Sequence, residues 1–276
     1  MNWIILVGVL VIVGFLLDRE IYFYEGVHLG PRVQAWLYDR WSKKYDEGKR
    51  ASQLRDDEML AQPLLDALQA GSVSKPFVLD FATGTGRLSH VLLNQPGFTG
   101  HIIALDLSQG MLEQAASKLS RHPDRVELLR HPTLPFPFPD AAFDVVCALE
   151  VLELFPGMDE PLAELTRVLR PGGILLTSRG TEESGRKAKV KSAKVFTSLL
   201  ERNGLEKTQI TKWWKLFDRV LAVKKGSSPP VGERQLSEVL RCRACDQTQW
   251  QKEAVAWKCQ NCGNGLSVTN VGIVLN

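Results

Sequence analysis

The sequence predicts an α/β protein built on a doubly wound, mostly parallel sheet, with an apolar helix before it and a small metal-binding module after it. Three observations carry this expectation. Short β-type runs alternate with segments of helical periodicity through the middle of the chain. One of those runs, in PFVLDFATGTGRLS (Pro76 to Ser89), ends in a glycine turn and passes into a helix. Four cysteines form two C-x-x-C pairs near the C-terminus.

At 276 residues the chain has room for one full α/β domain and small appendages, because a domain takes about 100–200 residues. A charged fraction of 24% and a hydrophobic fraction of 44% argue against a disordered chain and against a many-pass membrane protein. The net charge of +3 gives no strong nucleic-acid signal, since domains built for phosphate backbones show a basic face or stripe.

Trp3 to Leu17 is an unbroken apolar run, followed at once by Asp18, Arg19 and Glu20. At 1.5 Å per residue it covers about 22 Å of a hydrocarbon layer about 30 Å thick. A crossing therefore needs Tyr22, Phe23 and Tyr24 at the interface. A cleaved signal peptide would show a basic n-region and a small-residue cleavage site, and the run has neither. Residues 1–20 are expected to be an uncleaved, single-pass transmembrane helix. The basic residues Arg19, Arg32, Arg40, Lys43 and Lys44 all follow it, which places the body on the cytoplasmic side of the membrane. The alternative is a hydrophobic helix docked on the protein's own domain. Residues 21–70 read as a helical linker and cap, with Trp36, Leu37 and Trp41, then Leu60, Leu64, Leu65 and Leu68, at helical spacing.

Residues 71–226 hold the main domain. Gly84 and Gly86 let the backbone turn sharply and approach a ligand, and the helix behind them offers free amides at its N-terminus. The next β-type run, His101 to Leu105, ends in Asp106, twenty residues beyond Gly86. A carboxylate there can accept from both hydroxyls of an adenosine ribose. Nicotinamide-dependent folds share that spacing. Asp80, four residues before Gly84, separates the two cases, because a carboxylate there suits a cationic ligand and repels a pyrophosphate.

That opening run, together with LPFPFPDAAFDVVCALEVLELF (Leu134 to Phe155) and LAELTRVLRPGGILLTSRG (Leu162 to Gly180), resembles class I S-adenosylmethionine-dependent methyltransferases, most closely their type 11 branch. The resemblance covers roughly Asp39 to Lys225 and implies a Rossmann-like, seven-stranded sheet with an antiparallel last strand. Carried over position by position, it implies that Asp80, Ala82, Gly84 and Gly86 line the methionine end of S-adenosylmethionine. Asp106 would hold the ribose, Leu107 would pack against the adenine, and Tyr45 would cover the cofactor. The family's carboxylate for the adenine amino group should fall just before Leu134, but Arg130, His131, Pro132 and Thr133 stand there. A backbone group or the His131 side chain is expected to take over that contact. Glu150, near the end of a strand, is expected in the pocket. Phe143 and Asp144 are expected to fix the loop entering the fourth strand.

Thr208 to Leu216 and Arg219 to Lys224 supply the antiparallel pair that closes such a sheet. No histidine shows a partner pattern that marks it as a general base, so the catalytic residues are unassigned. Methyl transfer from an activated sulfonium needs mainly alignment and exclusion of water. The basic loop with Arg186, Lys187, Lys189, Lys191 and Lys194 would rest on anionic headgroups in a membrane-tethered protein.

Ser227 to Pro230 open a linker over 227–240, and residues 241–276 form a terminal module. Cys242, Cys245, Cys259 and Cys262 give C-x2-C-x13-C-x2-C, which suits tetrahedral Zn2+ with every coordination position filled, hence a structural metal. The module resembles the small Trm112-like zinc ribbons found beside methyltransferases, which implies a buttressing role or a protein partner. Cys147 reads as a small buried hydrophobe. The expected function is membrane-anchored methyl transfer from S-adenosylmethionine to a small-molecule or lipid- or quinone-like acceptor. The alternatives are RNA or protein methylation with the ribbon as recognition element, and a non-catalytic S-adenosylmethionine-binding scaffold.

Overall fold

The computed structural model describes residues 2–132, 134–184 and 190–276. Its helices are α1 (Asn2–Asp18), α2 (Pro31–Gln53), α3 (Gln62–Ala70), α4 (Arg87–Leu93), α5 (Gln109–Leu119), α6 (Asp159–Val168), α7 (Ala193–Arg202) and α8 (Leu236–Val239). Strands β1 (Phe77–Phe81), β2 (His101–Asp106), β3 (Val126–Arg130), β4 (Phe143–Ala148), β5 (Leu169–Gly180), β6 (Leu205–Lys212) and β7 (Phe217–Lys224) belong to the main domain. Strands β8 (Trp250–Lys252), β9 (Ala256–Cys259), β10 (Gly265–Val268) and β11 (Ile273–Leu275) belong to the C-terminal module.

The main-domain strands lie in the order β6-β7-β5-β4-β1-β2-β3. Neighbouring strands among β1 to β5 are parallel, and β7 is antiparallel to both β5 and β6. Alternation along β1 explains the two layers. Phe77, Leu79 and Phe81 face a core shared with Leu162 and Leu165 of α6 and Phe196 and Leu199 of α7. Val78 faces the opposite core, with Leu64 of α3, Leu92 of α4 and Leu112 of α5. Asp144 pins the start of this framework. Its carboxylate accepts from Arg170 Nε at 2.6 Å, from the Phe77 amide at 3.1 Å, and from the amides of Val231 and Gly232. The strand-entry role expected for Asp144 thus extends to the 227–240 segment, which is tied to the sheet.

The expected seven strands need correction, because the sheet has eleven among the described residues. The terminal module does not stand apart from it. Strand β11 pairs in parallel with β3, matching Leu275 to Arg130, and β10, β9 and β8 extend the sheet antiparallel. The physical reason is the edge of β3, whose backbone groups would otherwise stay unpaired. Trp250, Trp257, Leu266 and Val274 join the same core as β1.

The transmembrane expectation is also corrected. No helix among the described residues is long and apolar enough to cross a membrane. Helix α1 has 17 residues, about 25 Å at 1.5 Å per residue, and Asp18 ends it. The chain then makes a π-helical turn, Arg19–Phe23, and Glu20 accepts from the His28 amide at 3.0 Å. The alternative of a docked helix is not seen either. The described side chains of α1 are exposed all round, among them Leu10, Ile12 and Phe15. The helical linker and cap expected over 21–70 breaks after Gln53, with a π-helical turn at Asp57–Ala61 before α3.

Candidate functional site

A cavity of about 350 Å3 opens where β1 and β2 end, beneath α2. That volume suits a small organic ligand. Asp80, buried at the end of β1, accepts from the hydroxyls of Thr83 and Ser89, each at 2.7 Å. Asp106, buried at the end of β2, accepts from the Gly84 amide at 2.8 Å and from the Ser108 amide at 2.9 Å. Among the described residues neither carboxylate pairs with a lysine or arginine. Burial pushes the Asp80 carboxyl above the usual carboxylate range, against the two hydroxyl bonds. Burial likewise pushes Asp106 up to about 6, against its backbone hydrogen bonds.

The glycine turn divides its work between two residues. Gly84 has a φ of +56° and open space where a Cβ would stand, so it leaves a cradle facing the cavity. Gly86 has a φ of +75°, and a Cβ there would lie 3.1 Å from Leu119 Cδ1 and 3.2 Å from Ala115 Cβ. It lets α4 pack on α5 and is absent from the cavity wall, unlike the other residues expected there. The Gly86 amide donates to the Thr83 carbonyl at 3.0 Å, so it is not a free donor for a ligand. Ala82 lines the cavity with a φ of +53°, a left-handed conformation that explains why glycine suits that position.

Leu107, His131, Tyr45 and Glu150 also line the cavity. The His131 amide donates to the Asp106 carbonyl at 3.0 Å, and its ring Nε2 lies 3.1 Å from the Pro135 carbonyl. Thr133, named with it in the sequence, lies outside the described residues. Glu150 has a φ of +55° and accepts from Lys49 Nζ at 2.6 Å and from Arg87 at 3.0 Å. Arg87 also forks onto Asp56 at 2.6 and 2.8 Å and lies 4.7 Å from the Trp213 ring centre. This cluster ties α2, α4 and the end of β4 around one wall.

Sequence reasoning missed Tyr38, Lys49 and Arg87, all in the cavity wall. Tyr38 stands two helical turns before Tyr45 on α2, their ring centres 6.3 Å apart, and that seven-residue spacing was the available signal. The Tyr38 hydroxyl donates to Glu25. Burial pushes both phenols above their ordinary range, so neither is poised to act as a phenolate base at neutral pH. Helix α2 is held in place by Asp39, which accepts from Ser108 Oγ at 2.6 Å and the Gly110 amide at 2.8 Å. Gly110 makes that approach possible, because a Cβ there would lie 3.0 Å from Asp39 Cα.

In the terminal module, one sulfur from each of Cys242, Cys245, Cys259 and Cys262 lies within 4.8 Å of the others. Cys242 and Cys262 are 3.6 Å apart, as are Cys245 and Cys259. Sulfurs bound at about 2.3 Å to one tetrahedral ion stand at comparable distances, so the donor set fits zinc. Of the expected basic loop, residues 185–189, with Arg186, Lys187 and Lys189, lie outside the described residues. Lys191 and Lys194 are described, and Lys194 is exposed at the start of α7.

Comparisons agree with this geometry. Residues 78–173 match the family model described as a methyltransferase domain. A demethylmenaquinone methyltransferase from Lactobacillus johnsonii is 36% identical over 110 residues, 38% of this chain and 45% of that protein. Another from Clavibacter sepedonicus is 33% identical over 150 residues, 53% of this chain and 57% of that protein. The chain therefore spans about half the length of the curated relatives it matches. The structure of a SAM-dependent methyltransferase from Aquifex aeolicus superposes with a TM-score of 0.54 at 21% identity, covering 67% of this chain and 98% of that one. That likeness establishes the Rossmann-like fold of the main domain.

Proposed function

We propose that this protein is an S-adenosylmethionine-dependent methyltransferase that modifies a lipid- or quinone-like acceptor at a membrane surface. The observation that carries the reading is the pair Asp80 and Asp106. Two buried carboxylates, without basic partners among the described residues, face one cavity beside a glycine cradle. Such a field favours a ligand with net positive charge and disfavours a dinucleotide pyrophosphate.

Bound there, S-adenosylmethionine supplies an activated methyl group on a cationic sulfur. The chain's own residues do the rest by placement. Asp106 is set to accept from the ribose hydroxyls, Gly84 to let the backbone approach, and Leu107 to pack on the base. Tyr38 and Tyr45 on α2 roof the cavity and keep water out. Val27, Pro31, Leu154 and Phe155 add apolar wall, which suits an acceptor with a hydrophobic body. Because burial raises both phenols, alignment of the acceptor replaces general base catalysis by these residues.

The names of the relatives support a quinone-like acceptor, and α1 supports a membrane setting. An apolar helix exposed on all sides is stable only if lipid or another apolar surface covers it. Arg32, Arg40, Lys43 and Lys44, exposed beyond it, would meet anionic headgroups at such a surface. The four cysteines would hold a structural zinc ion that locks the terminal module against β3. Titration calorimetry on the full chain in detergent tests the cofactor assignment, with S-adenosylmethionine expected to bind and NAD+ to give no heat. The reverse preference would overturn it.

A further inference from the structure

The terminal module and the cofactor cavity meet at one side chain. His131 follows β3 and lines the cavity. On the module's side, Arg243 Nη2 and Asn276 Nδ2 each lie 3.4 Å from its Nδ1 atom. Guanidinium and amide nitrogens only donate, so Nδ1 is the accepting nitrogen. Nε2 then carries the hydrogen and donates it to the Pro135 carbonyl at 3.1 Å. The ring is held at both ends, and its orientation in the cavity wall is set from outside the main domain.

Both of those donors are placed by the module. Arg243 sits inside the Cys242-x-x-Cys245 knuckle, whose turn closes through the Asp246 amide on the Cys242 carbonyl at 2.8 Å. Asn276 follows the strand that pairs with β3, and its amide donates to the Arg130 carbonyl at 3.1 Å. The residue it touches, His131, donates its own amide to the main-chain carbonyl of Asp106, whose side chain is the ribose carboxylate. A continuous path of hydrogen bonds therefore runs from the four-cysteine knuckle to the cofactor wall.

We propose that the module completes the cofactor site. Arg243 and Asn276 are positioning residues that fix His131, so that metal in the four-cysteine site tightens cofactor binding without taking part in the reaction. This rests on the cavity being the S-adenosylmethionine site.

Calorimetry with S-adenosylhomocysteine on the full chain, alongside its zinc content, tests it. Arg243→Ala is expected to weaken binding by about five- to tenfold, the worth of one ordinary hydrogen bond because Arg243 acts through His131, at unchanged zinc content. Arg243→Lys, which keeps a cationic donor, should recover most of the loss. If Arg243→Ala sheds zinc, Asn276→Ala, outside both knuckles, carries the test with the same expected direction. Wild-type affinity in a zinc-retaining Arg243→Ala protein and in Asn276→Ala would overturn the proposal and leave the cofactor assignment standing. Absence of binding by the wild-type chain would overturn the cofactor assignment itself.

Discussion

The Gly84 amide donates to Oδ2 of Asp106 at 2.8 Å, so the glycine turn after β1 and the carboxylate ending β2 form one unit before any ligand arrives. The turn is pre-organised by the group that would hold the ribose. Asp106→Ala should therefore cost cofactor affinity twice, through the lost acceptor and the loosened turn, by about a hundredfold in calorimetry.

The same carboxylate predicts a pH dependence. Burial raises Asp106 to about 6, and ribose hydroxyls donate to its ionised form. Cofactor affinity should be flat above pH 6 and fall as pH drops through 6, approaching tenfold per pH unit. Asp106→Asn should flatten that profile. The effect on the ligand-free fold has the opposite sign. A folded value above the unfolded value of about 3.9 gives a stability contribution that is full below pH 4 and lost as pH rises through 6. Denaturant melts at several pH values check this.

The two glycines of the turn should separate by phenotype. Gly86→Ala places a methyl against Leu119 and Ala115 at a left-handed φ and should destabilise the fold by about 2 kcal/mol. Gly84→Ala meets no neighbour but keeps a left-handed φ, so it should cost about 1 kcal/mol of stability, with weaker cofactor binding as its main effect. Ala82→Gly relieves a φ of +53° and should change stability by no more than about 1 kcal/mol, in the favourable direction.

Arg87 is the structural knot of the cavity wall, bonded to Asp56, Glu150 and the Ser52 carbonyl. Arg87→Met leaves the buried Asp56 without its cation and should cost about 3–5 kcal/mol in chemical denaturation. Double replacement with Asp56→Leu should recover much of it.

The glycine turn beside the cavity was legible because its information is local: Asp80, Ala82, Gly84 and Gly86 fall within seven residues, and Asp106 sits at the end of the next strand. The wall opposite was not. Arg87 reaches Asp56 and Glu150 across 31 and 63 residues, and no periodicity announces such a pairing. The exclusion of Gly86 from the cavity depends on how closely α4 and α5 approach, which spacing does not encode. The joining of β11 to β3 matches a three-residue strand to an edge more than a hundred residues away. The apolar run at the N-terminus was read correctly as a helix, but its length against a bilayer turned on where Asp18 stops it.

That edge pairing predicts a link between metal and stability. Cys259→Ser or chelation should loosen β9 to β11 and uncover the β3 edge, lowering the melting temperature by on the order of 5 °C. Differential scanning calorimetry with and without added zinc measures it.

Helix α1 predicts lipid attachment that does not depend on the cavity. A chain without residues 1–20 should lose flotation with phospholipid vesicles while keeping cofactor affinity within about twofold, since none of the described α1 side chains lines the cavity.

The central claim is methyl transfer to a membrane-borne acceptor, and the most direct measurement is label transfer. Full-length protein is incubated with membrane lipid extract and S-adenosylmethionine carrying a radioactive methyl group, and the organic phase is counted. The account predicts label in the organic phase with the wild-type protein and none above background with Asp106→Ala. Label that stays in the aqueous phase, from protein shown to bind S-adenosylmethionine, would contradict it.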